Sequence, residues 1–214
     1  MIIFTRWVCR KKRNSVNFLL IRNYQKQKKK KFPPGQVKTD KWPVLHYGSV
    51  PRVDLATWEL RVDGLVEHSQ QFDWEAFQKL PRVKVHSDIH CVTRWSRYDN
   101  LWEGVALREL ITRAGVQPEG RFVIIHAEQG FTTNLPLSEL LQDDVLLADR
   151  HDGEPLTPDH GWPLRLVVPR RYFWKSAKWV RRIEVAGRDA PGFWERNGYH
   201  NEADPWREER FSDW

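Results

Sequence analysis

His160–Val185 reads HGWPLRLVVPRRYFWKSAKWVRRIEV, and a short apolar run inside it is bracketed by cations and hydroxyls. Leu164, Leu166, Val167 and Val168 give a strand-length apolar segment. His160 and Arg165 stand on one side of it, and Lys175, Ser176 and Lys178 on the other. A guanidinium grips phosphate through two parallel hydrogen bonds, an ammonium adds a point charge, and turn amides add donors, so the layout suits a phosphate-bearing ligand. A charged rim around a core strand accounts for the same residues equally well.

Working outward, TWELRVDG alternates Trp58, Leu60 and Val62 before Asp63-Gly64, which predicts a strand entering a tight turn. FDWEAFQKLP offers Asp73 as an N-cap and Pro81 as a stop, the marks of a short helix. RVKVHSDIHCV, RFVIIHA and PLRLVVP read as strands, and VALRELITRAG as a helix ending at Gly115. No repeat is visible and strands do not alternate with long helices. The fold expected is α+β, with packed mixed β-sheets and short helices.

The two ends of the chain differ in charge. Eleven of the 35 Lys and Arg fall in the first 31 residues, which hold no Asp or Glu, so the remainder carries 24 basic against 28 acidic side chains. The net charge of +7 therefore belongs to the extension and the body is mildly acidic. Residues 1–40 are expected to be a basic, disordered extension and residues 41–214 a single domain, with KFPPGQVKTDKWPVLHYGSVP wrapping the body as an extended segment. The apolar runs MIIF and VNFLLI fall well short of the ~20 residues of a membrane span. Neither a secretory signal nor a twin-arginine pattern is properly matched. A cytoplasmic protein is expected, with no membrane span and no nucleic-acid partner.

Only two cysteines are present, Cys9 and Cys91, in dissimilar contexts, which excludes a disulfide framework. His86, Asp88, His90 and Cys91 place four possible zinc ligands in six residues. On a strand, however, His86 and His90 stand ~13 Å apart and Cys91 faces away from His90, too far for one ion with bonds of ~2.0–2.3 Å. A Cys-His hydrolase lacks any local signature around the thiol, and a buried structural cysteine is the plain alternative.

HCVTRWSRYDNLWEGVALREL, GFTTNLPLSEL, LLADRHDGEPLTPDHGWPLRLVVP, WKSAKWVRRIE and PGFWERNGYHNEADPWREERF together resemble the molybdopterin-binding domain of sulfite oxidase-like oxidoreductases, from about Trp42 to the C-terminus. The resemblance implies that fold, a molybdenum-molybdopterin cofactor, and Cys91 as the thiolate ligand of the metal. A lone protein sulfur suffices where the cofactor supplies a dithiolene. Carried over by position, His160, Arg165, Ser176, Ala177 and Lys178 hold the pterin and its phosphate, Lys175 lies close by, and His46 and Tyr47 close over the cofactor. Arg94 is the residue expected to attract an oxyanionic substrate. Val92–Trp95 departs from the arginine-rich run of sulfite oxidases, so the reaction expected is two-electron oxygen-atom transfer on a small S-oxide, N-oxide or sulfite-like molecule, with an unidentified electron-transfer partner. The alternative is a non-catalytic relative whose basic extension binds nucleic acid or an acidic partner.

Overall fold

A computed structural model describes residues 32–212, and two mixed sheets carry the chain. The first runs β1 (Val37–Lys38), β5 (Trp95–Ala106), β8 (Leu146–His151), β10 (Arg165–Val167), with β4 (Val83–His90) paired to β5 and β9 (Glu154–Pro155) to β8. The second has the order β3 (Gln70–Asp73), β2 (Glu59–Gly64), β11 (Val180–Ala186), β6 (Phe122–Ala127), β7 (Thr132–Pro136). One pairing in each sheet is parallel, β1 with β5 and β2 with β11, and the remaining pairings are antiparallel.

Short helices fill the connections. In α1 (Trp74–Gln78) the amide of Ala76 donates to Asp73 Oδ1 at 2.7 Å, the cap that the sequence marks, and the helix has ended before Pro81. α2 (Leu107–Ala114) buries Leu107, Leu110, Ile111 and Ala114 on one face, and stops at Gly115 with φ 66°. α3 (Leu137–Leu140) and α4 (Phe193–Arg196) are single turns. The Asp63-Gly64 turn is as tight as its residues suggest. Gly64 has φ +88°, and a Cβ there would lie 2.2 Å from the carbonyl oxygen of Val185.

Burial explains the continuous apolar runs. Leu147 and Leu166 belong to the main core, where they meet Leu60, Val62, Val123, Ile125 and Ile183 of the second sheet. Their neighbours Leu146, Ala148 and Val167 face the other way, into a smaller cluster with Ile89, Trp102 and Leu156. The strands at the centre of the first sheet are thus covered on both faces, so they read as unbroken apolar segments rather than as alternation. Arg165 lies two residues from Val167 and shares its face. A cation is thereby placed among the smaller cluster's aromatic side chains.

The segment assigned by sequence to the extension divides. Residues 1–31 lie outside the described residues. Residues 32–40 join the body: the amides of Val37 and Thr39 donate to the carbonyls of Arg94 and Ser96, each at 2.9 Å. A Pro-rich segment can dock in this way because pairing at a sheet edge asks only for alternate amides.

Candidate functional site

Cys91 sits where β4 turns into β5. Its amide donates to the Trp95 carbonyl at 2.9 Å, and Arg94 closes the turn with φ 72°. Gln36 Nε2 donates to the Cys91 carbonyl at 3.0 Å, while Arg210 Nη1 donates to the Val92 carbonyl at 2.6 Å and Nη2 to the Pro34 carbonyl at 3.1 Å. The loop is fixed from two distant parts of the chain, at Gln36 and at Arg210. The thiol is buried and lies 3.1 Å from Thr93 Oγ1. Burial pushes its pKa up, while the Thr93 hydrogen bond and the Arg210 charge pull it down.

The thiol opens onto a cavity of about 300 Å³, whose walls come from side chains between Trp42 and Tyr47, from Cys91–Thr93 and Trp95, from Glu128, Gln129 and Phe131, from Arg165, and from parts of Phe173–Trp179 and Phe193–Tyr199. One chain of contacts on these walls is cationic. Arg165 is 1% exposed, with Nη1 donating to the His160 carbonyl at 2.8 Å and Nη2 to the Ser176 carbonyl at 3.0 Å. Its Nε has no partner among the described residues. The guanidinium carbon lies 4.2 Å from the Phe173 ring centroid, 5.5 Å from Trp42 and 5.6 Å from Trp102. Burial lowers its pKa to about 9. Lys178 donates to the Asp159 carbonyl at 2.6 Å and lies 3.4 Å from His46 Nδ1. Burial first, and the neighbouring Arg165 charge second, hold its ammonium to a pKa of about 7. Neither cation has a carboxylate within ion-pair distance among the described residues.

The other chain of contacts is aromatic. Tyr47 lies 4.8 Å from Phe193, Phe193 lies 5.1 Å from Trp194, and Trp194 stacks on Tyr199 at 4.8 Å. Tyr199 is near enough to Cys91 for the thiolate charge to raise the phenol's pKa, in addition to the larger effect of burial. Beneath these rings lies a buried polar network. Lys175 Nζ is paired with Glu195 Oε1 at 2.7 Å and donates to the Asn134 carbonyl at 2.9 Å, and Trp174 Nε1 donates to the same Glu195 oxygen at 3.1 Å. Asn134 Nδ2 donates to Asp189 and Asn201 at 2.7 and 2.8 Å. This network fastens α4 to β7.

The sequence-selected residues separate clearly. Cys91, His46, Tyr47, Arg165, Ser176, Ala177 and Lys178 line the cavity. His160 stands behind the wall, stacked on Trp42 at 3.8 Å, with its carbonyl accepting from Arg165. Ser176 contributes a carbonyl to Arg165, but its hydroxyl already accepts from the Val168 amide at 3.0 Å. Lys175 is fully buried and engaged with Glu195, so its ammonium faces the protein and not the cavity. Arg94 is exposed and absent from the lining. Its turn carries the guanidinium against Gly35 instead. His86, Asp88 and His90 do not gather around Cys91: among the described residues, no three His, Cys, Asp or Glu side chains are arranged to hold a metal ion. Sequence reasoning overlooked Trp42, Thr93, Phe193, Trp194, Tyr199 and Arg210. The density of aromatics in PGFWERNGY was a usable signal for three of them.

A lone protein thiol stands at one wall, and a buried guanidinium and a half-buried ammonium, neither with a carboxylate partner among the described residues, stand at another, an arrangement suited to an anionic ligand. The comparisons point to a ligand of the same kind. The family described as oxidoreductase molybdopterin binding domain matches residues 47–194. The chain is 52% identical over 181 residues to an uncharacterized oxidoreductase, YuiH, of Bacillus subtilis, covering 84% of this chain and 91% of that protein. It is 26% identical to a putative protein-methionine-sulfoxide reductase subunit, YedZ1, of Azospira oryzae, over 72% of this chain and 60% of that one. The sulfane dehydrogenase SoxCD from Paracoccus pantotrophus superposes with a TM-score of 0.63 at 26% identity, covering 68% of this chain and 42% of that one. The chain belongs to the oxidoreductase molybdopterin binding domain family.

It is accordingly an oxidoreductase of the sulfite oxidase family, with the α+β molybdopterin-binding fold and molybdenum-molybdopterin as cofactor. The residues present fit that group. An uncompensated guanidinium in a dry site is costly unless an anion neutralises it, and Arg165 meets that condition on the cavity wall. No helix among the described residues is long and apolar enough to cross a membrane.

Proposed function

We propose that the protein carries out two-electron oxygen-atom transfer on a small S-oxide, N-oxide or sulfite-like substrate, with Cys91 as the protein's ligand to the metal. The observation that carries this reading is the pairing, in one cavity, of a single thiol with a buried guanidinium that has no carboxylate partner. Bound molybdenum-molybdopterin supplies the two-electron redox couple and the open metal position. For an S-oxide the overall balance is R₂SO + 2 H⁺ + 2 e⁻ → R₂S + H₂O, in which the S–O bond breaks, the sulfur is reduced and the oxygen leaves as water. The electrons come from a separate electron-transfer partner.

The chain's own residues provide attachment, orientation and proton control. Arg165 and Lys178 hold the cofactor's anionic group, with Ala177 and the Ser176 backbone shaping the wall between them and His46 and Tyr47 closing the open side. His160 and Lys175 act from behind, His160 by orienting Arg165 and Lys175 by anchoring the 173–175 turn through Glu195. The Tyr199 phenol, beside the thiol and kept protonated by burial, can donate a hydrogen bond or a proton to a substrate oxygen. Arg94 acts in the turn that presents Cys91. A cytoplasmic location accords with a buried free thiol at the site. The suggestion that the basic extension binds nucleic acid falls on residues 1–31, outside the described residues.

The deciding measurement uses protein made in a molybdopterin-competent host. One molybdenum and one pterin per chain are expected, and wild-type protein that folds without either sinks the reading.

A further inference from the structure

We propose that the Thr93 hydroxyl donates a hydrogen bond to the Cys91 sulfur and thereby raises the reduction potential of the metal which that sulfur holds, so that Thr93 is a positioning residue of the reaction. The inference rests on the cofactor-bearing site proposed above, with Cys91 as the protein's ligand.

The backbone of the turn that presents Cys91 is held by other groups. Gln36 Nε2 donates to the Cys91 carbonyl at 3.0 Å, the Arg94 amide donates to the same carbonyl at 3.1 Å, and Arg210 Nη1 donates to the Val92 carbonyl at 2.6 Å. Each of these contacts is made to backbone. The side chain that reaches the sulfur itself is Thr93, with Oγ1 at 3.1 Å, and it lines the cavity beside Cys91. Among the groups that favour a charged sulfur, this hydroxyl outweighs the amides of Thr93 and Val92 and the Arg210 charge.

Either atom can donate while the sulfur is a thiol. A ligating sulfur has given up its proton, which leaves it an acceptor and the hydroxyl the donor. Such a bond draws electron density off the sulfur, so it favours the reduced, more electron-rich metal; hydrogen bonds to a ligand tune its metal in this way. Cys91 is 8% exposed, so solvent has little access of its own to the sulfur. Thr93 is exposed at the cavity's open side, and what replaces its hydroxyl therefore decides the effect. A methyl group keeps water out of that position, and a shorter side chain lets water in.

The test begins with wild-type protein assayed for molybdenum and pterin. Protein without them ends the cofactor reading, and this inference with it, before any variant is made. Thr93→Val, Thr93→Ser and Thr93→Ala are then compared by redox titration of the metal followed by EPR. All three should keep the wild-type content of molybdenum and pterin, since the hydroxyl is not a ligand. In Thr93→Val the ratio of reduced to oxidised metal at a fixed potential should fall about threefold to tenfold, the worth of about one net hydrogen bond. The upper figure is a downward shift of about 59 mV for a one-electron step. Thr93→Ser should stay near wild type. Thr93→Ala should fall between the two, because a water can enter and donate in place of the hydroxyl.

A merely structural Thr93 would change stability or cofactor content and leave the potential where it is. Should Thr93→Val fail to fold, Thr93→Ala against Thr93→Ser carries the comparison, with a lower potential expected in the alanine variant alone. A loaded Thr93→Val protein at the wild-type potential, loss of the metal from that variant, or an equal shift in Thr93→Ser would overturn the proposal, as would equal potentials in the alanine and serine variants.

Discussion

The two chains of contacts around the cavity are built on opposite principles. At the anchoring wall, Arg165 and Lys178 are desolvated cations given only carbonyl acceptors and aromatic faces, so this wall is incomplete until an anion arrives. At the mouth, the rings of Tyr47, Phe193, Trp194 and Tyr199 satisfy one another, and the charges behind them are paired, Lys175 with Glu195. The contrast shows how to tell a lysine that waits for a ligand from one that holds a wall. Lys175 and Lys178 stand three residues apart in the sequence and are both desolvated, yet Lys175 has a carboxylate and Lys178 does not.

The largest effect that would break this contrast comes from the thiol between the two walls. Cys91→Ser is expected to keep the fold and abolish turnover, because an oxygen of nearly equal volume replaces the soft ligand. Full activity in that variant would remove the molybdenum-thiolate assignment. Next in size is Lys175→Met, which strands the Glu195 carboxylate and should cost about 3–5 kcal/mol of stability, read as a fall in the urea midpoint. Replacing both partners, Lys175→Met with Glu195→Leu, should restore most of it. An equal loss in single and double variants would show that the pair is not what fastens α4.

Arg165→Ala tests the opposite wall. A charge-assisted contact to phosphate is worth roughly 1.5–3 kcal/mol, so the variant should lose cofactor about tenfold to a hundredfold and not merely turn over slowly. Arg165→Lys should recover part, since an ammonium lacks the planar fork. Pterin per chain after gel filtration decides between cofactor anchor and ordinary structural cation.

The smallest effect sharpens the contrast through pH. Lys178 has a folded pKa of about 7 against an ordinary 10.5. Between those values the unfolded chain binds a proton that the folded, cofactor-free protein does not, so stability should rise with pH across that window. The cost is present in full below about pH 7. A bound anion restores the charge, so pyrophosphate binding at pH 8 should take up a proton. Calorimetry in two buffers of different ionisation heat measures that uptake, and Lys178→Met should remove it.

Much of this was legible in the sequence. The cap at Asp73, the helix stop at Gly115 and the Asp63-Gly64 turn are local signals, and they survive because they depend on neighbouring residues alone. The apolar runs of β8 and β10 gave the strands but not their two-faced burial, which depends on what covers each face. At the site, the cations of His160–Val185 were visible as a cluster. Which of them faces the cavity was not, since that is set by Glu195, Asn134 and Asp189, residues up to 41 positions from Lys175 in the chain. Arg94 misled for a related reason. A left-handed backbone angle turned it away from the opening, and nothing in Val-Thr-Arg-Trp announces that angle.

The clamp made by Arg210 reaches 118 residues back to Val92 and 176 back to Pro34. During synthesis, therefore, this clamp on the loop that presents Cys91 closes only after residue 210 has been made, whereas the donor of the Gln36 tie precedes the loop in the chain. A nascent chain halted before residue 210 has the Gln36 donor but lacks the Arg210 clamp on Val92 and Pro34. The last tie on the loop beside the cavity is in this sense timed by the arrival of one arginine.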